Sequence, residues 1–127
     1  MTEDGRYKRG KDLLESIHGE AGAAVMSGLG DVAPDMPKYV FEFAFGDIYS
    51  RKGLALRDRQ IATLAALATL GNAQPQLKVH IQSALNLGIS KEEVIEILMQ
   101  MSVYAGFPAA LNALATAKEA FAELDEE

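Results

Sequence analysis

Residues 57–88 read RDRQIATLAALATLGNAQPQLKVHIQSALNLG. From Ile61 to Leu70 no residue carries a charge, whichever face of a helix it falls on. A helix lying on a surface shows a polar side, so a helix from about Arg57 to Leu70 is expected to be central. Gly71 suits its C-terminal end. GNAQP, residues 71–75, is a break. A second helix follows from about Pro75 to Leu87, with Leu77, Ile81, Ala84 and Leu85 on its core face and Gly88 as its stop. So short a break predicts that the two helices pack as an antiparallel hairpin.

Helical spacing dominates outward from this hairpin, and no strand alternation is convincing. Upstream, a helix is expected from about Asp4 to Val25, with Leu13, Leu14, Ile17, Ala21, Ala24 and Val25 as its apolar stripe. Gly28, Gly30 and Pro34 break it. The next helix starts near Asp35, a plausible N-cap, with Pro37 in its first turn. Tyr39, Phe43 and Phe45 are its bulky core candidates. Downstream, Ser90 and Glu93 form a serine-x-x-glutamate capping box. It opens a helix with Val94, Ile97, Leu98 and Met101 on one face. YAGFP, residues 104–108, ends that helix, and Pro108 starts a sixth. With no internal repeat or linker, residues 1–127 are expected to form one domain, an all-α bundle of about six helices.

Composition removes several function classes. The chain has 127 residues, 49% of them hydrophobic, enough for a sizeable core without covalent staples. It has no cysteine, which excludes disulfides, thiolate zinc sites, cysteine nucleophiles and thiol peroxidase chemistry. The net charge of −6 argues against a nucleic-acid partner. ELDEE, residues 123–127, is expected to be a frayed, solvated end. The charged N-terminus does not resemble a signal peptide, and a cytoplasmic location is expected. Residues 97–117 are uncharged over a length that spans a bilayer. Gln100, Ser102, Asn112 and Thr116 are polar, however, and Gly106 with Pro108 splits the run, so no membrane partner is expected. Not every apolar helix of so small a chain can be central. Some faces are expected to be covered by another copy, in a homo-oligomer.

Two histidines are present. His18 is read as packing its ring at the edge of the first apolar stripe. His80 lies on the border of its helix's core face, one turn from Gln76 and Ala84. By position alone, a packed, hydrogen-bonded histidine is the better reading of His80. Nothing here matches metal-ligand spacing, a phosphate-cradling glycine loop or a serine nucleophile elbow, and no metal is expected. Arg51, Arg57, Arg59 and Lys78 are the basic residues that could meet an anion. Arg59 stands out because it precedes the uncharged run, where a guanidinium usually has a specific partner.

The stretch from Ala33 to Glu123 resembles the carboxymuconolactone decarboxylase family. The matching pieces are APDMPKYVFEFAFGDIYSRKGLALRDRQIATLAALATLG, QLKVHIQSALNLGISKEEVIEILMQMSVYAGFPAALNA and AKEAFAE. The resemblance implies an alkylhydroperoxidase D-like helical fold and a hexamer built as a trimer of dimers. One branch of the family reduces peroxides with a Cys-x-x-Cys pair just before a histidine. His80 matches that histidine, while Ala73 and Gln76 take the two cysteine places. That branch also has a glutamate thought to relay protons with the histidine, and its position, after one gap, is Gln60. Glutamine holds hydrogen bonds but does not titrate.

The other branch, in aromatic-compound degradation, converts 4-carboxymuconolactone to an enol-lactone without a cofactor. The substrate's unsaturated lactone is the electron sink, and the enolate left by carbon dioxide must be protonated. Such a site needs a cation for the spectator carboxylate, a donor for the enolate oxygen and an acid. On this resemblance, Arg59 is the expected cation. Gln60, Gln76 and Tyr104 are candidate donors, and His80 is the catalytic acid. The expected ligand is a small carboxylated molecule. The alternative is a non-catalytic oligomer that binds a small ligand or has a structural role.

Overall fold

The computed structural model describes residues 3–126, with the side chains of Glu3, Asp4, Glu20 and Ala21 left aside. The chain runs through α1 (Glu3–Gly28), a 3-10 turn (Leu29–Asp31), α2 (Met36–Tyr39), a π-helix (Val40–Tyr49), α3 (Leu56–Leu70), α4 (Gln74–Asn86), α5 (Lys91–Tyr104) and α6 (Phe107–Asp125). Among the described residues there is no strand, so the all-α expectation holds. Two compact units divide the chain, one up to Leu54 and one from Ala55.

In the first unit α1 packs against the π-helix. The approach is close enough to demand glycine. A Cβ on Gly10 would lie 1.6 Å from the carbonyl oxygen of Phe41, and one on Gly46 would lie 2.7 Å from that of Arg6. Arg6 then reaches both carboxylate oxygens of Asp47, at 3.0 and 2.7 Å. The Nε of Arg9 donates to the carbonyl of Gly46 at 2.9 Å.

Two expectations about this unit need correction. The first helix is not continuous, because Gly19 has φ 78° and ψ 179°, a conformation essentially confined to glycine. The apolar stripe therefore does not run straight through. Leu14 and Ile17 are buried before the break, but after it Ala23 is buried while Ala24 and Val25 are exposed. The side chain of Ala21 lies outside the described residues. The second helix winds as a π-helix, with more residues per turn than an α-helix. Spacings of four and five then share a face, so Pro37, Phe41, Phe45 and Gly46 are buried. Tyr39 and Phe43, expected in the core, are 59% and 60% exposed. Asp35 stands at the N-cap position but makes no side-chain capping bond.

The second unit is built on the hairpin of α3 and α4, joined through residues 71–73. Gly71 ends α3 in the left-handed conformation. α3 packs against α4, α5 and α6, as its lack of charge predicts. Its outer side, with Ala62, Ala66 and Leu70, stays exposed. The core joins Leu64, Leu77, Ile81, Val94 and Leu98 to a run of small residues on α6, namely Ala113, Ala117 and Ala120. The capping box of α5 is complete. Ser90 Oγ accepts from the Glu93 backbone N–H, and the Glu93 carboxylate accepts from that of Ser90, each at 3.0 Å.

The C-terminal expectation also changes. α6 continues to Asp125, and its last turns are tied down by Lys78–Glu123 at 2.8 Å and Lys91–Asp125 at 3.2 Å. Glu127 lies outside the described residues. The uncharged run 97–117 is not buried throughout, since Met99, Val103, Phe107 and Leu111 are all more than half exposed. No helix among the described residues is long and apolar enough to cross a membrane.

Candidate functional site

The α3–α4 hairpin brings Gln60 against His80, twenty residues apart in sequence. Gln60 lies one turn before Leu64 on the core face of α3 and is wholly buried. His80 precedes the fully buried Ile81 on α4 and is itself half-buried. Helical spacing thus places an amide beneath an imidazole whose ring is at the edge of the core.

Gln60 Nε2 lies 3.0 Å from His80 Nδ1 and 2.9 Å from the His80 backbone carbonyl oxygen. The carbonyl accepts only, so the amide must turn its nitrogen toward it. Gln60 Oε1 is buried and has no hydrogen-bond partner among the described residues. Leaving a buried acceptor unsatisfied costs about 1–3 kcal/mol. The reversed amide would be worse, since it would set oxygen against the carbonyl and bury two idle N–H groups.

The other expected site residues divide. Arg59 adjoins Gln60 on α3 and is half-buried, with its Nε shut off from solvent. Gln76 lies one turn before His80 on α4 and is exposed. Tyr104 ends α5 and is 79% exposed. No hydrogen bond joins Gln76 or Tyr104 to Gln60 or His80 among the described residues. Of the other basic candidates, Arg57 is paired with Glu93 and Lys78 with Glu123. Arg59 and Lys78 are both half-buried, while Arg57 is exposed.

Sequence reasoning missed the second hydrogen bond of Gln60, because a backbone carbonyl leaves no trace in residue types. It also missed Glu42, a carboxylate residue only 4% exposed on the π-helix. Glu42 lies three residues before Phe45, a spacing that shares a helix face, but a carboxylate residue is not expected among buried aromatics. The other histidine, His18, sets its ring edge-on to Phe45, 5.9 Å between centroids, and burial pushes its pKa below the ordinary 6.5. Among the described residues no group of three His, Asp or Glu side chains is placed to hold a metal ion.

A profile of the carboxymuconolactone decarboxylase family matches residues 34–119, which contain α3, α4 and the whole Gln60–His80 pair. The chain belongs to the carboxymuconolactone decarboxylase family. Within it, the chain is 33% identical over 125 residues to a 4-carboxymuconolactone decarboxylase of Acinetobacter baylyi, covering 98% of this chain and 92% of that one. An uncharacterised protein of Paracoccus denitrificans is 36% identical over 103 residues, 80% of this chain and 77% of the other. A nitrosuccinic acid decarboxylase of Metarhizium robertsii is 30% identical over 76 residues, 59% of this chain and 52% of that enzyme. Two of these carboxymuconolactone decarboxylase relatives are thus named for loss of carbon dioxide from small acids.

Proposed function

We propose that this chain is a cofactor-free decarboxylase, or an enzyme of closely related proton-transfer chemistry, acting on a small carboxylated substrate of the 4-carboxymuconolactone type. The observation that carries the reading is the half-buried imidazole of His80 seated on a buried amide, in a chain similar to a named decarboxylase along nearly its whole length. When the substrate's C–CO2 bond breaks, its electron pair passes into the unsaturated lactone and an extended enolate forms. A donor must meet the enolate oxygen and a proton must return to carbon. His80 is the catalytic residue at that centre. Arg59 holds the spectator carboxylate, and its withdrawal from bulk solvent strengthens that contact. Gln76 and Tyr104 are further donors, and the exposed Tyr104 joins such a site only where a neighbouring chain closes over it.

Purified protein given 4-carboxymuconolactone is expected to consume the lactone and release carbon dioxide above the uncatalysed rate. His80→Ala should lower turnover by roughly a hundredfold or more, the usual scale for losing a general acid or a donor to a developing oxyanion. Its melting temperature, measured alongside, separates this from a loss of fold. A second reading, a non-catalytic ligand-binding member of the family, draws its support from Gln60, which cannot carry a proton to or from His80. Absence of turnover by the folded wild-type chain on 4-carboxymuconolactone and related small acids would favour that reading.

A further inference from the structure

The hydrogen bonds of Gln60 have a consequence for the state of His80. A primary amide has two N–H groups and one oxygen. Both nitrogen contacts of Gln60 go to a single residue, one to the His80 carbonyl and one to Nδ1 of its ring. The carbonyl fixes the orientation of the amide, so the atom facing Nδ1 is a donor. Nδ1 must then accept, and in a neutral ring the hydrogen sits on Nε2. A proton placed on Nδ1 would confront an N–H and break this contact. Oε1 is buried and has no hydrogen-bond partner among the described residues. An apolar side chain would fill this core position with no idle acceptor, yet the position holds an amide whose two hydrogens serve His80.

We infer that Gln60 is a positioning residue that locks His80 in its neutral, Nε2-protonated tautomer, so that the ring meets a substrate as a fixed hydrogen-bond donor rather than as a proton relay through Nδ1. The catalytic part of this inference rests on the decarboxylase reading, whereas the tautomer does not. On that reading the imidazole stabilises the enolate oxygen through Nε2–H. The proton returned to carbon then comes from solvent or from the substrate's own acid group, because Gln60 has none to give. The substrates that fit are those whose carbanion is delocalised onto an oxygen, as in an unsaturated lactone or a β-keto acid.

The test is 15N NMR of the histidine ring nitrogens at neutral pH, with His18→Asn used to isolate His80. Wild-type His80 should show one acceptor-type resonance, assigned to Nδ1, and one proton-bearing resonance, assigned to Nε2. Gln60→Glu replaces the donor by an acceptor, and the Nδ1 acceptor-type resonance should be lost as that nitrogen takes a proton. Gln60→Met, which removes both hydrogen bonds but keeps an apolar chain of similar length, should give averaged resonances of mixed tautomers. A wild-type spectrum with protonated Nδ1, or one unchanged in Gln60→Met, would overturn the inference. Where a variant fails to fold, the wild-type assignment alone decides. Turnover of 4-carboxymuconolactone is read separately. A locked tautomer without turnover sinks the decarboxylase reading and leaves the lock standing.

Discussion

At the scale of single residues, Glu93 serves two partners. Its carboxylate accepts the Ser90 backbone N–H that completes the capping box, and it also pairs with Arg57 from the start of α3. The Ser90 hydrogen bond first, and then Arg57, hold its pKa below the ordinary 4.5. A folded pKa below the unfolded one means that the stabilisation is complete above the ordinary value and is lost as pH falls through the folded value. Asp47, held down by Arg6, and Glu123, held down by Lys78, act in the same direction. The melting temperature is therefore expected to drop on acidification below about pH 4, the unperturbed carboxylate range. Glu93→Gln should melt lower at neutral pH and lose less on acidification. Melting curves across a pH series check this, and an unchanged acid drop in the variant would refute it. Ser90 and Glu93 were readable as a pair because a capping box is local, spaced by three residues. The Arg57 partner, thirty-six residues away, was not. The same limit divides the candidate site. Helical phase placed His80 at the core edge, but the backbone carbonyl that orients Gln60 is invisible in a string of side chains.

Among the helices, legibility followed how far each obeys the ordinary α-helical period. α3, α4 and α5 were placed nearly to their ends, because glycine stops and the capping box bracket a regular 3.6-residue pattern. The π-helix defeated the same reasoning, and Phe41 replaced Tyr39 and Phe43 in the core. The packing of that π-helix on α1 gives the prediction for this scale. Gly10→Ala sets a methyl group 1.6 Å from the Phe41 carbonyl oxygen, a backbone atom that cannot swing aside. The variant is expected to lose roughly 2–3 kcal/mol of stability or more, the upper range for overpacking. Urea denaturation monitored by circular dichroism measures it. A change within half a kilocalorie would mean that α1 and the π-helix are not pressed together as described.

Across the whole molecule, the uncharged helices were expected to bury their surplus of apolar surface against another copy. Ile95, Met99 and Val103 recur at every fourth position of α5 and are exposed, and Phe107 and Leu111 at the start of α6 add to the exposed apolar surface. We propose a homo-oligomer on this basis, and the family resemblance suggests a hexamer. Sedimentation at micromolar concentration should give a species several times the 13.7 kDa chain mass, and a species of monomer mass would reject it. The core of the second unit has a different lesson, which lies in its uneven side-chain sizes. α3, α4 and α5 contribute leucine, isoleucine and valine, whereas four of the five buried side chains of α6 are alanines. The larger residues of α3, α4 and α5 thus meet mostly alanine at the fully buried positions of α6, with Leu114 and Phe121 packed at the edge. Tolerance to mutation should therefore have a direction. Positions such as Leu64 and Leu98 should resist shrinking, because truncation opens a void. Ala113 and Ala117 should resist growth, because no space receives an added branch. Saturation mutagenesis scored for folded protein would display this as opposite size preferences on facing helices. Any evolutionary drift in the volume of α6 would then have to be accompanied by a reciprocal change across the core.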